Sequence, residues 1–163
     1  MYISSLKNLV IILLLFVSYC QASTTKENQI KVDSILKYLD SNDHSIDSNT
    51  VSAYLNIADT YREEDLDLAI YHAKNALLYA DKINYKLKHN IYSSLGDYHF
   101  KKNEYQDAIN QYQKAVEFAQ KNNFKQDESE FLGSIGSVYR QLGKKPIELD
   151  YKLNALAVLE ELQ

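Results

Sequence analysis

Four histidines, His44, His72, His89 and His99, are the side chains best suited to proton transfer or metal ligation. They do not form an H-x3-H or Glu-x-x-His pair, the spacings that bring two ligands onto one helix face, so structural roles are expected. The densest carboxylate group, Glu63-Glu64-Asp65, lacks the Asp-x-Asp-x-Asp-Gly frame of a calcium loop and reads as a solvated turn. There is no G-x-S-x-G, no phosphate loop and no H-E-x-x-H. The sequence therefore predicts no enzyme, no cofactor, no metal site and no catalytic residue. What it carries is binding chemistry, set out along helices.

With 45% hydrophobic and 25% charged residues the composition is that of an ordinary soluble fold. Four glycines and one proline are few breakers for 163 residues, and no alternating apolar run is bounded by turn pairs, so helices are expected throughout. The net charge of -4 repels phosphate backbones and anionic headgroups, which speaks against a nucleic-acid partner. Lys101-Lys102 and Lys144-Lys145 read as solvated turn residues.

The first 22 residues have one lysine, an unbroken apolar run from Leu9 to Val17 and a more polar end at Ala22. That layout matches a signal peptide, cut after Ala22, and predicts export to the periplasm or the medium. The run is well short of the roughly 20 apolar residues a membrane helix needs. Cys20 offers a lipid-anchored alternative, opposed by Tyr19 before it, and an uncleaved segment would tether the chain. Without either, the mature chain is not expected to insert in a membrane. A lone cysteine forms no internal disulfide.

Residues 23–50 read as one amphipathic helix, carrying Ile30, Ile35, Leu36 and Leu39, and the loop SNDHSIDSNT, with Asn49 or Thr50 capping the helix after it. That first helix is expected to pack on the second. From Val51 onward, helix pairs recur. Tyr54, Ile57, Ala58 and Tyr61 share a face and precede Ala69, Ala73, Ala76 and Ala80. Tyr92, Leu95, Gly96 and His99 precede Ala108, Tyr112, Ala115 and Ala119. After a polar stretch from Asn122 to Glu128, Leu132, Ile135, Gly136 and Tyr139 precede Leu149, Leu153, Leu156 and Leu159, with Pro146 tolerated in the first turn. The small residue of each first helix, Ala58, Gly96 and Gly136, returns every 38 to 40 residues, which marks a stacked array. Most of the fourteen tyrosines follow the same stripes and read as core.

At these residues the chain resembles the tetratricopeptide repeat, W-x2-L-G-x2-Y, then A-x3-F, a further alanine, then P. Tyr92 stands in the tryptophan slot, Leu95-Gly96 match, His99 takes the tyrosine slot, and Ala108, Tyr112 and Ala115 come after. The resemblance implies an all-α, right-handed α-solenoid with repeats at 51–88, 89–128 and 129–163, of the roughly 40-residue kind found in exported bacterial proteins. Glu148 and Lys152 depart from the pattern where alanine and an aromatic belong, so the last helix is expected further out or in a shifted register. No proline ends a unit, and the second helices are expected to be long.

The resemblance also implies a concave surface lined by first helices that binds a protein or peptide. It places Asp59, Arg62, Asp97, Phe100, Lys101, Ser137, Arg140 and Gln141 there. The family's groove for a carboxyl-terminal carboxylate uses lysine where this chain has Leu55, Ser93 and Gly133, and asparagine where it has Asp59, Asp97 and Ser137. That ligand is disfavoured. The stripe Leu153, Leu156, Leu159 and Leu162 lacks a polar outer face, which suggests self-association, continuation into a longer chain or a covering partner. The sequence supports two functions: a non-catalytic interaction scaffold of the cell envelope, or the extracytoplasmic sensor part of a larger bacterial signalling protein such as a histidine kinase or regulator.

Overall fold

The computed structural model describes residues 26–37, 39 and 47–161. The expected export segment with Cys20, most of the predicted loop with His44, and Leu162 lie outside them. The chain divides into residues 1–43 and 44–163. The first unit contributes a helix, α1, over 26–37, with Val32 buried and Ile30 and Leu36 exposed. The second contains α2 (Ser48–Tyr61), α3 (Leu66–Lys82), α4 (Lys88–Lys101), α5 (Tyr105–Lys121), α6 (Lys125–Gln141) and α7 (Lys145–Glu160). Among the described residues there is no strand. From α2 to α7 each helix packs on its neighbours in the chain, giving a solenoid of helix pairs.

Alanine stripes explain the packing. Ala69, Ala73, Ala76 and Ala80 of α3 are wholly buried, as are Ala108, Ala115 and Ala119 of α5. Small side chains let helix axes approach to about 8–10 Å, and the branched residues Ile57, Ile91, Leu95 and Ile135 fill the remaining space with almost no exposure. Each such burial contributes about 1.5–3 kcal/mol. One cluster joins α2, α3 and α4 and a second joins α5 and α6. The second helices α3 and α5 run 17 residues against 14 for α2 and α4.

Four helices end the same way. Asn84, Asn103, Asn123 and Gly143 take left-handed φ angles of 50°, 61°, 59° and 70° just past α3, α4, α5 and α6. The next amide closes back onto the last helical turn, as Glu104 N–H does to the His99 carbonyl at 2.9 Å and Lys144 N–H to the Tyr139 carbonyl at 2.9 Å. This satisfies a carbonyl the helix leaves open and reverses the chain. The turn after α2 has no such left-handed residue; there Asp65 caps α3 instead, accepting from Asp67 and Leu68 N–H at 3.0 Å each.

Three expectations are corrected. The cap of α2 is Asp47, not Asn49 or Thr50: its carboxylate accepts from Thr50 N–H at 3.0 Å, while Thr50 is the third helical residue and so a donor. The polar stretch up to Glu128 already contains the start of α6, and Glu128 is buried, accepting from the Gln120 amide at 2.8 Å. The last helix is not shifted in register. A Cβ on Gly136 would meet the Glu148 carbonyl at 3.4 Å and Lys152 Cγ at 3.7 Å, the positions forty residues beyond Ala108 and Tyr112. Contact at this crossing runs through the backbone and an aliphatic stem, so a charged head group does not disturb it.

Gly96 and Gly133 provide an internal contrast. A Cβ on Gly96 would lie 2.6 Å from Cδ1 and Cε1 of Tyr112, whereas one on Gly133 meets nothing within 4 Å. Gly96→Ala is expected to cost about 1–3 kcal/mol by overpacking, and Gly133→Ala to gain about 0.5–1 kcal/mol from helix propensity. Thermal unfolding of both variants checks this, and equal melting temperatures would refute the crossing.

Candidate functional site

The bare Gly96 draws the Tyr112 ring across α4, and the ring carries its hydroxyl to the next residue, donating to Asp97 Oδ1 at 2.6 Å. Asp97 remains exposed, yet protein surrounds it closely enough to raise its carboxyl above the usual range. The Tyr112 hydrogen bond and the positive charges of Arg62 and Lys101 oppose that rise. The partner effect on Tyr112 is large: burial, then the bond to a carboxylate, moves its hydroxyl well above the ordinary value. Neighbouring Tyr98 is pushed up to about 12 by burial, then by the charge of Asp59.

The last turn of α2 supplies the other half. Arg62 bridges Asp59 at 3.0 Å and Glu63 at 3.2 Å, and Lys101 from α4 reaches Glu63 at 2.5 Å. The Lys101 contact lowers the Glu63 carboxyl. These pairs are exposed, so each contributes little to stability; what they do is hold cations beside Asp97. Asp59, Arg62, Asp97 and Lys101 thus form one mixed-charge group across α2 and α4, with Tyr112 beneath. It can accept from backbone amides or hydroxyls and offer ammonium and guanidinium donors to carbonyls.

The remaining candidates are disposed differently. Phe100 lies half-buried against the α5–α6 cluster, its ring 5.9 Å from Tyr105. The Ser137 hydroxyl donates back to the Gly133 carbonyl at 3.1 Å. Arg140 and Gln141 are exposed at the end of α6. Among the described residues no hydrogen bond or ion pair ties these three α6 residues to the Asp97 group.

Three histidines are buried. His89 sits in a cage of Phe118, Phe124 and Phe131, its Nε2 3.2 Å from Asp127. His72 stacks between Tyr54 and Tyr61. Nδ1 of both rings has no hydrogen-bond partner among the described residues. Burial lowers the basicity of each, at His89 against the pull of Asp127. His99 Nδ1 meets Glu104 at 2.6 Å, and with Asp107 these residues offer three atoms within 4.8 Å that could hold a metal. Lys102 Nζ already occupies that corner, 2.8 Å from the other Glu104 oxygen. The Tyr112–Asp97 bond is the contact of the candidate site missed from sequence, although its signal was present: an acid directly after the glycine that the tyrosine must cross.

Comparison with known proteins centres on the same helices. Residues 89–122 match the family model described as Tetratricopeptide repeat. No curated protein matches the sequence. Among solved structures, the TPR domain of Arabidopsis FLU is similar at 19% identity, over 69% of this chain and 97% of that one, with a TM-score of 0.61. BtubC from P. vanneervenii is similar at 18% identity, over 84% of this chain and 56% of its own, with a TM-score of 0.65. The N-terminal domain of stress-induced protein-1 (STI-1) from C. elegans shares 12% identity over 71% and 87%, with a TM-score of 0.60. At these identities the likeness is one of fold.

His72 and His89 make stability depend on pH in a defined direction. Their basicity is lower folded than unfolded, so below the ordinary histidine value of 6.5 the unfolded chain binds more protons. Stability is therefore expected to be level above that pH and to fall as pH drops through it. His72→Gln is expected to flatten the slope of melting temperature between about pH 7 and 5, whatever it does to the absolute value. An unchanged slope would show that His72 is not held neutral.

Proposed function

We propose that this chain, which carries a tetratricopeptide repeat at residues 89–122 within an array of like hairpins, binds a segment of another protein along its first helices. The reading is of an interaction scaffold, and repeats of this kind generally hold proteins or peptides. Asp97 is the observation that carries it. An exposed carboxylate closely surrounded by protein, fixed by Tyr112 at 2.6 Å and flanked by Arg62 and Lys101, is ordered before any ligand arrives. Ordering a polar group in advance reduces the entropy lost on binding.

The surface we assign runs from Asp59, Arg62, Asp97 and Lys101 toward Ser137, Arg140 and Gln141, with Phe100 as an apolar margin. Its mixed charge suits an extended polar peptide read through its backbone, rather than a uniformly acidic or basic one. The export signal read in residues 1–22 supports work in the cell envelope, facing the periplasm or the exterior.

Affinity capture from the native envelope fraction tests this, comparing the chain lacking residues 1–22 with the same chain carrying Arg62→Glu and Arg140→Glu. The unaltered chain is expected to retain a defined set of proteins that the double variant loses or holds at about a tenth of the yield, the effect of reversing rim charges. Both variant positions are exposed, so folding is expected to survive. Identical capture at equal yield would place binding on another surface.

A further inference from the structure

The last helix, α7, buries none of its side chains. It meets α6 through Glu148, Tyr151 and Lys152 around Gly136, through Tyr139 stacked on Tyr151, and through the Ala155 carbonyl, which accepts from Ser129 at 2.8 Å. Turned away from that contact, Leu149, Leu153 and Leu156 remain 56%, 54% and 52% exposed. Their steps of four and three residues are those of a helix-pair seam. At 3.6 residues per turn, Lys145 and Glu160 fall on the same face, one at each end of the stripe.

From this pattern we propose that α7 is the seam of an antiparallel homodimer, its stripe packed on the same stripe of a second copy. Two observations choose this occupant over a further hairpin of the array. Where α6 covers α5, the covered surface includes Ile109, Val116 and the small Ala119, while Gln113 stays exposed. Forty residues on, α7 has Leu149 and Leu156 for the first two, but Leu159 for the alanine and Leu153 for the glutamine. The bulk at Leu159 removes the depression into which another first helix would settle, and Leu153 extends the apolar face where the array interface is polar.

Charge supplies the second observation. Lys145 in the first turn and Glu160 in the last oppose the helix dipole, which favours acids at the start and bases at the end. Neither has an ion-pair partner among the described residues, although neighbouring Glu161 is taken by Lys125 at 2.8 Å. An antiparallel partner resolves both. With Leu149 facing the second copy's Leu156, Lys145 faces the second copy's Glu160, and the twofold axis repeats each pair. A parallel pair would instead set lysine against lysine and glutamate against glutamate.

Sedimentation of the full chain over a concentration series reaching the high micromolar range tests this. A monomer–dimer equilibrium is expected, abolished by Leu153→Glu and weakened on the order of tenfold by Lys145→Glu. The double variant Lys145→Glu, Glu160→Lys is expected to recover the dimer, because both cross-pairs are restored with reversed sign. That recovery separates the seam from any association through Leu9 to Val17. A single-chain mass throughout would overturn the proposal and leave the face to a further segment or a different protein. Association insensitive to Lys145→Glu would place the contact elsewhere, and loss without recovery would overturn the antiparallel pairing.

Discussion

The close crossing of Gly96 by Tyr112 is the contact on which the central part of the molecule depends. With a Cβ excluded by a 2.6 Å approach to the ring, α4 and α5 can lie flat against each other over an aromatic side chain that would otherwise force them apart. The same geometry delivers the tyrosine hydroxyl to Asp97, so a packing requirement also positions a surface carboxylate. Stability and the candidate site share one pair of residues here. A change at either affects both, which is why measurements of binding at this site must be read beside measurements of folding.

The array was legible from sequence because its period and its small residues are properties of side-chain volume. Ala58, Gly96 and Gly136 return at nearly constant intervals, and alanines that can only be useful in a crowded crossing stand opposite the first two. The turns were less legible. Asn84, Asn103 and Asn123 look like three ordinary polar residues, and only their left-handed backbone reveals that they do the work of Gly143. The cap at Asp47 was misplaced for a related reason: Asn49 and Thr50 are also good capping residues, and the choice depends on which of them is already helical.

Part of the candidate site was legible and part was not. The family pattern grouped Asp59, Arg62, Asp97 and Lys101, and these residues do interact electrostatically across α2 and α4. A pattern of slots carries no information about side-chain direction, however. Phe100 packs against Tyr105, and Ser137 folds back on its own helix, because each found a nearer partner than solvent or ligand. The buried Glu128 was hidden by composition: a charged residue in a polar stretch reads as solvated unless its partners Gln120 and Lys125 are known to be adjacent.

The three hairpins fill one crossing in three ways, and this makes them unequal in chemistry despite a common fold. In the first, Ala58 faces a helix with Ala73 in the aromatic slot, and bulk comes instead from His72 stacked with Tyr54 and Tyr61. In the third, Lys152 stands in that slot and pairs with Glu148 at 2.6 Å, while Ser137 replaces the acid beside the glycine. Only the central hairpin combines glycine, a carboxylate directly after it and a facing tyrosine. A hydroxyl–carboxylate bond of the Tyr112–Asp97 kind therefore cannot form at the other two crossings. The ordered acceptor is confined to one point along the array, and a peptide lying across several first helices would meet a single fixed acidic anchor with different surroundings to either side. Such asymmetry sets a direction along an otherwise repetitive surface.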